Sequence, residues 1–321
     1  MAKFKVVLTD NIFTDLENER KMLAEADAEL IIVPAGEDII PYVKDADAVI
    51  DTYVKITEEI VEHMEKCQLV IRNGIGIDTI DVEACTKKGI MVSNIPHYCS
   101  DEASTHTMAL MLATVRKLKL LNKSVNNGKW DVKVGIPIYS LLEKTLGLVG
   151  FGKIPRLVAE KARAFGLNIV AYDPFVSKED MGACFVRKVE LEDLVKESDI
   201  ISLHTPLTKE TYEMFDINMF EKMKTTAYII NTSRGPVIKE EDLIYALENH
   251  MIAGAGLDLL TKDALDSENP LLKMDNVIIT PHAAWYSEES TIRRKTQMIE
   301  SVISVLQGGK PAVLCNNPIK G

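Results

Sequence analysis

The sequence points to an α/β protein built from two doubly wound parallel sheets, one per domain. Three features say so. Short apolar runs alternate with helical periodicity through residues 1–99. A strand, a glycine turn, a helix and a second strand follow one another between Leu146 and Asp173. The same alternation then resumes and runs through the rest of the 321 residues, a length that suits two cores better than one. Strands that alternate with helices form parallel sheets covered on both faces.

In the first stretch, the apolar runs Phe4–Leu8, Leu30–Val33, Ala48–Asp51, Leu69–Ile71 and Ile90–Val92 predict strands. Helical spacing marks Leu16–Ala24, Asp38–Val43, Glu58–Met64 and Val82–Lys88. Residues 101–126 read as one long helix, acidic at Asp101 and Glu102, with lysines gathered at its end. Its apolar stripe of Met108, Leu112, Val115, Leu118 and Leu121 needs a partner surface, another domain or a second subunit. Gly128–Leu142 is a loop carrying Trp130. Later strands are expected at Ile200–Leu203, Ala227–Ile230, Gly254–Leu257 and Val277–Thr280. Helices are expected at Leu191–Lys196, Met214–Met223, Glu240–Asn249 and, last, near Glu288–Gln307. The expected domains are residues 1–99 with 290–321, and residues 100–289. A chain that crosses twice between domains frames a cleft able to close on a substrate.

The stretch LGLVGFGKIPRLVAEKARAFGLNIVAYD is a dinucleotide-binding unit in outline. Gly150 permits a tight turn, and Gly152 lets the backbone approach a pyrophosphate. The free amides of Lys153 and Ile154 at the helix start can hold that anion. Pro155 stands where a third glycine is usual, and proline is tolerated in a first helical turn. Asp173 follows Gly152 by 21 residues, where a carboxylate accepts from a ribose 2′-hydroxyl and repels a 2′-phosphate. No arginine follows closely, so NAD is expected rather than NADP. This second domain is then a Rossmann domain.

Composition narrows the rest. The formal net charge of −11 and the lack of any Lys/Arg block argue against nucleic acid. No apolar run reaches membrane-spanning length. The start, MAKFKVVLTD, runs straight into a strand with no signal peptide. Five cysteines without CxxC spacing suggest neither a disulfide framework nor a metal site. A reducing cytoplasm is expected.

Ligands of doubly wound sheets bind at the carboxyl ends of the strands. There the sequence places His204-Thr205-Pro206, then Asn231-Thr232-Ser233-Arg234-Gly235, then Asp258 with Asp263 five residues on, then Pro281-His282. Arg234 can grip a carboxylate bidentately. His282 has an intrinsic pKa suited to passing a hydroxyl proton, and a carboxylate behind it fixes its tautomer. This set fits hydride transfer at a 2-hydroxy or 2-oxo acid. In the first domain, Arg72–Asp78 reads RNGIGID; its amides could hold a carboxylate, or it is a plain glycine turn. His97 and Cys99 in the IPHYCS segment can be simple linker residues.

The motifs RNGIGID, GLVGFGKI, AYDP, SLHTPLT, NTSRG, AGLD and TPHAA stand in the order and spacing of the D-2-hydroxyacid dehydrogenases. The chain resembles that family over nearly its whole length. The resemblance implies a flavodoxin-like substrate domain beside the Rossmann domain. It implies Arg234 as substrate anchor, His282 as acid/base with Asp263 as its carboxylate, and the amides of Ile75 and Gly76 toward the substrate carboxylate. It implies Asp258 near the nicotinamide amide, with Thr205, Pro206, Thr211, Thr232, Ser233, Arg234 and His282 also on the cofactor. It further implies a homodimer built through the nucleotide domain. HAAWYSEES is especially similar to the C-terminal-binding protein branch, in which the tryptophan matching Trp285 faces the pocket. Trp285 then sets specificity with Tyr53 and Tyr98, or packs as a hinge aromatic.

Two departures stand out. The family usually has Glu-Pro where this chain has Asp263-Ala264, and Asp reaches about 1.5 Å less far. Phosphoglycerate-using relatives tend to carry Arg at Asp51-Thr52-Tyr53, and no C-terminal regulatory domain follows, so phosphoglycerate is a poor expectation. Formate-type relatives carry Gln at Asp263. The expected function is an NAD-dependent 2-hydroxyacid dehydrogenase working as a 2-oxo acid reductase. The alternative is an NADH-responsive binding protein like the corepressors of that branch, which needs a docking groove on the first domain.

Overall fold

The structure is a computed structural model that describes residues 2–11, 15–261 and 266–319. The chain divides into two compact units, Met1–Cys99 with Ser287–Gly321, and Ser100–Tyr286.

The first unit opens with β1 (Phe4–Leu8), α1 (Glu17–Glu25), β2 (Ala28–Ile32), α2 (Ile40–Val43), β3 (Ala48–Asp51), α3 (Glu58–His63), β4 (Leu69–Arg72), α4 (Val82–Lys87) and β5 (Met91–Ser93). The strands form one parallel sheet in the order β2-β1-β3-β4-β5, the flavodoxin-like arrangement. Every residue of β3 and β4 is buried, as expected for strands covered on both faces. Thr57 and Asp81 cap α3 and α4 by accepting from Ile60 N and Ala84 N.

The second unit begins with α5 (Ser100–Val115) and α6 (Leu118–Asn126). The single helix expected over 101–126 is therefore two. Lys117 takes a left-handed conformation at φ 53°, and its amide bonds back to Thr114 O, which closes α5. Then follow β6 (Thr145–Val149), α7 (Lys153–Arg163), β7 (Asn168–Tyr172), α8 (Lys178–Ala183), β8 (Arg187–Lys188), α9 (Leu191–Glu197), β9 (Ile200–Leu203), α10 (Ile217–Lys222), β10 (Tyr228–Asn231), α11 (Glu240–Glu248), β11 (Gly254–Leu257) and β12 (Val277–Ile279). The parallel sheet runs β12-β11-β10-β9-β6-β7-β8, the Rossmann order with one further edge strand. Leu146 and Leu148 face the core under α5 and α7, and Val149 faces the core under α9 to α11. That alternation is the strand period placing one side chain on each face in turn.

The last helix, α12 (Glu288–Leu306), starts at a Ser287–Ser290 capping box and belongs to the first unit, where it packs on α1 and β4. Among the described residues, no helix is long and apolar enough to cross a membrane.

Candidate active site

One row of the second unit's register sets the site. Tyr172, Val149, Leu203, Asn231, Leu257 and Ile279 lie side by side across six strands. The residues just beyond them are Asp173, Gly150, His204, Thr232, Asp258 and Thr280, so the sequence motifs fall on one carboxyl edge.

At β6 the chain turns through Gly150, which has φ +91°. A Cβ there would lie 2.9 Å from His204 O, so only glycine lets the turn pass the neighbouring strand end. Phe151 N donates to Asp173 Oδ2 and Phe175 N to Asp173 Oδ1, both at 2.8 Å, which locks the acid at the mouth of the turn. Gly152 caps α7, and a Cβ there would meet nothing within 4 Å. Pro155 is buried in the first turn without breaking α7. The Thr205 hydroxyl is buried with no hydrogen-bond partner among the described residues. An open backbone cradle at a helix start, an orphaned hydroxyl beside it and an acid at the end of β7 fit a dinucleotide. Thr211 Oγ1 donates to Pro206 O at 2.6 Å and accepts from Thr208 N, so its hydroxyl shapes the 206–211 loop.

Beyond β10, Asn231 is fully buried and ties the loop to itself. Its Oδ1 accepts from Ser233 N and Ser233 Oγ, and its Nδ2 donates to Arg234 O at 2.8 Å. Arg234 Nη1 donates to Ser233 O, and the residue is half-buried. A Cβ on Gly235 would fall 1.9 Å from Leu260 O, so the loop holding Arg234 lies against the loop after β11.

Beyond β12, His282 sits at φ +51°, a conformation that costs a non-glycine residue about 1–2 kcal/mol. It is held from several sides. His282 N donates to Asp258 O at 2.8 Å and to Thr280 O at 3.0 Å. Asp258 Oδ1 accepts from Thr280 Oγ1 at 2.6 Å and from Ala283 N at 2.8 Å, and Oδ2 accepts from Ala284 N at 2.9 Å. Burial alone would raise this carboxyl, but bonds from His106, Thr280, Ala284 and Ala283 outweigh it and hold its pKa below the ordinary value. Asp258, the residue expected beside the nicotinamide amide, is surrounded by the turn that carries His282. Its carboxylate is 1 % exposed and turned onto the His282 turn, because three backbone and hydroxyl donors there claim its oxygens.

β10 and β12 flank β11, so Arg234 and His282 leave strand ends about 9.5 Å apart, within reach of one small molecule. The other histidine on this edge is a poor acid or base: burial pushes the His204 imidazole down to about 3. Asp263 lies outside the described residues. Trp285 is half-buried and meets Tyr286 edge to face, with ring centroids 5.3 Å apart.

In the first unit, the register sets Asp51 beside Arg72 on neighbouring strands. Arg72 Nε lies 3.8 Å from Asp51 Oδ2, and the guanidinium sits 5.7 Å from the Tyr53 ring centroid. Tyr53 is exposed, and Ile75 and Gly76 are half-buried in the loop after β4. Asn94 Nδ2 donates to Ile75 O, and Ile95 N donates to Gly74 O, which fixes the loop's course. Burial is the main cause that pushes Asp51 up to about 7, against Arg72 and a 2.7 Å bond from Thr79 Oγ1. The sequence reading passed over the Asp51–Arg72 pair and the helix residues His106 and Thr107. Their only signal was polarity at positions where an apolar run or stripe should continue.

The NAD-binding domain of the D-isomer specific 2-hydroxyacid dehydrogenases matches residues 108–284. The chain belongs to the D-isomer-specific 2-hydroxyacid dehydrogenase family. It is 37% identical over 293 residues to a glyoxylate reductase of Korarchaeum cryptofilum, covering 89% of this chain and 87% of that one. It is 37% identical over 319 residues to a D-3-phosphoglycerate dehydrogenase of Methanocaldococcus jannaschii, covering 98% of this chain but 60% of that longer protein. A crystal structure of D-lactate dehydrogenase from Aquifex aeolicus, complexed with NAD and lactic acid, superposes with a TM-score of 0.88 at 31% identity. That match covers 94% of this chain and 96% of the other. The family member described here is accordingly an NAD-dependent oxidoreductase acting on the CH–OH group of 2-hydroxy acids. These relatives are enzymes, and they lend no support to the corepressor-like alternative.

Proposed function

We propose that the chain reduces small 2-oxo acids with NADH, Arg234 anchoring the substrate carboxylate and His282 supplying the proton. The shared sheet edge supports this most. Arg234 and His282 each stand three residues past one register row, and the Gly150–Gly152 turn leaves the same row. A planar guanidinium takes a carboxylate with two parallel hydrogen bonds. A protonated imidazole gives its proton to the carbonyl oxygen as charge develops there. NADH, when bound, supplies the hydride.

On the cofactor side, the amides of Lys153 and Ile154 hold the pyrophosphate and Asp173 accepts from the ribose. Thr205, Pro206, Thr232 and Ser233 line the same edge. Asp263 serves as the carboxylate behind His282. Ile75 and Gly76 offer amides to an anion, and Tyr53 and Trp285 shape side-chain preference. The net charge of −11 argues against a nucleic-acid partner. Trp130 is 89% exposed, and Val132, Ile136 and Leu142 of the same 128–142 stretch are also exposed, which favours a homodimer through this unit. All five cysteines are free thiols, which suits the cytoplasm.

The test is NADH consumption with a panel of small, branched, aromatic and acidic 2-oxo acids. Oxidation with at least one acid is expected. No oxidation with any of them overturns the proposal.

A further inference from the structure

We infer that His106 and Thr107, consecutive residues of α5, are positioning residues that hold the two reactive loops. This rests on the roles given above to Arg234 and His282. Each bond in the chain has a fixed direction. Thr280 Oγ1 donates its one proton to Asp258 Oδ1 at 2.6 Å, so toward His106 it can only accept. His106 Nε2 lies 2.9 Å from Thr280 Oγ1 and 3.4 Å from Asp258 Oδ1, so the ring proton sits on Nε2. The relay runs from His106 through Thr280 to the Asp258 carboxylate. That carboxylate then receives Ala283 N and Ala284 N and fixes the left-handed turn of His282.

The next residue of α5 does the same for the other loop. Thr107 Oγ1 donates to Ala103 O at 2.7 Å, so it accepts from Thr232 Oγ1 at 2.8 Å. Thr232 opens the loop that Asn231 ties to Arg234. Thr107 is fully buried, and Asp258 is 1 % exposed. One turn of helix thus sets the acid/base residue through His106 and the substrate anchor through Thr107. Neither residue touches substrate in this scheme.

The two ties predict different kinetic faults. Thr280→Val keeps the shape and removes the hydroxyl; kcat should fall about tenfold, with NADH affinity and KM for the 2-oxo acid within about twofold. Thr280→Ser should restore kcat. His106→Leu should match Thr280→Val, and His106→Gln, which keeps a donor, should stay within about threefold of wild type. Thr107→Val should instead raise KM several-fold with a smaller change in kcat. Loss of thermal stability with kcat and KM both unchanged overturns the inference, as does a His106→Gln variant as impaired as His106→Leu. A readout free of turnover is nitrogen-15 NMR of the His106 ring in the NADH-bound protein. The Nε2–H form is expected, and the Nδ1–H form overturns the relay. If wild type consumes no NADH with any 2-oxo acid, the functional proposal fails on its own, and the ring tautomer still decides the relay.

Discussion

Two buried aspartates end or follow parallel strands, one in each unit, and they hold their protons in opposite ways. Asp51 ends β3 and is 0% exposed; Asp258 follows β11 and is 1% exposed. Asp258 receives Thr280 Oγ1, Ala283 N and Ala284 N at good distances, and its pKa is lowered. Asp51 receives one hydroxyl, from Thr79, and meets Arg72 Nε only at 3.8 Å. Its Oδ1 has no partner among the described residues, and it rises to about 7. Burial alone therefore does not decide the charge of a carboxyl in this molecule. The number of well-aimed donors does, because each donor replaces water that burial has removed.

The proposed chemistry lies on the Asp258 side, so the largest effect is expected there. His282→Ala should cut turnover about a hundredfold or more with a modest change in NADH affinity, read by steady-state kinetics and NADH titration. Unchanged turnover would remove His282 from its assigned role. Next comes Asp258→Asn, which keeps the volume but turns one acceptor into a donor facing donors. About 2–4 kcal/mol of stability should be lost, measured by denaturant titration. In wild type, the stability from Asp258 is present above the ordinary aspartate pKa of about 4 and is lost as pH falls through the lowered folded value. The smallest effect belongs to Asp51→Asn. Because the folded pKa of Asp51 is raised, its contribution is present at low pH and lost as pH rises from about 4 to about 7. The Asn variant should flatten that slope in a series of melts across this range. A slope identical to wild type would show that Asp51 is ionised in the folded protein.

Much of the architecture could be read from the residue order. Phe4–Leu8, Ala48–Asp51, Ile200–Leu203 and Gly254–Leu257 are strands with the expected ends, because buried parallel strands are continuous apolar runs with polar residues at their boundaries. β8, only Arg187–Lys188, escaped notice because a short polar edge strand has neither an apolar run nor alternation. The break between α5 and α6 escaped because a left-handed lysine lacks the glycine or proline that usually marks one. In the candidate site, residues placed by a strand end were legible: Asp173 follows β7 directly, and Arg234 and His282 stand three residues past the ends of β10 and β12. Residues acting across the fold were not. Asp258 stood out by its place after a strand, but its partners Ala283 and Ala284 are joined to it by the register of β11 with β12 rather than by sequence spacing.

The return of α12 to the first unit imposes an order of assembly. Cys315 N bonds to Val92 O, and Asn316 Oδ1 takes Val92 N, so the outer edge of β5 is covered by residues synthesised after the whole second unit. Ser100–Tyr286 emerges whole before them. The inserted unit can close during synthesis while the first ninety-nine residues wait with a bare sheet margin. Nascent chains halted before α12 are where chaperone dependence should concentrate.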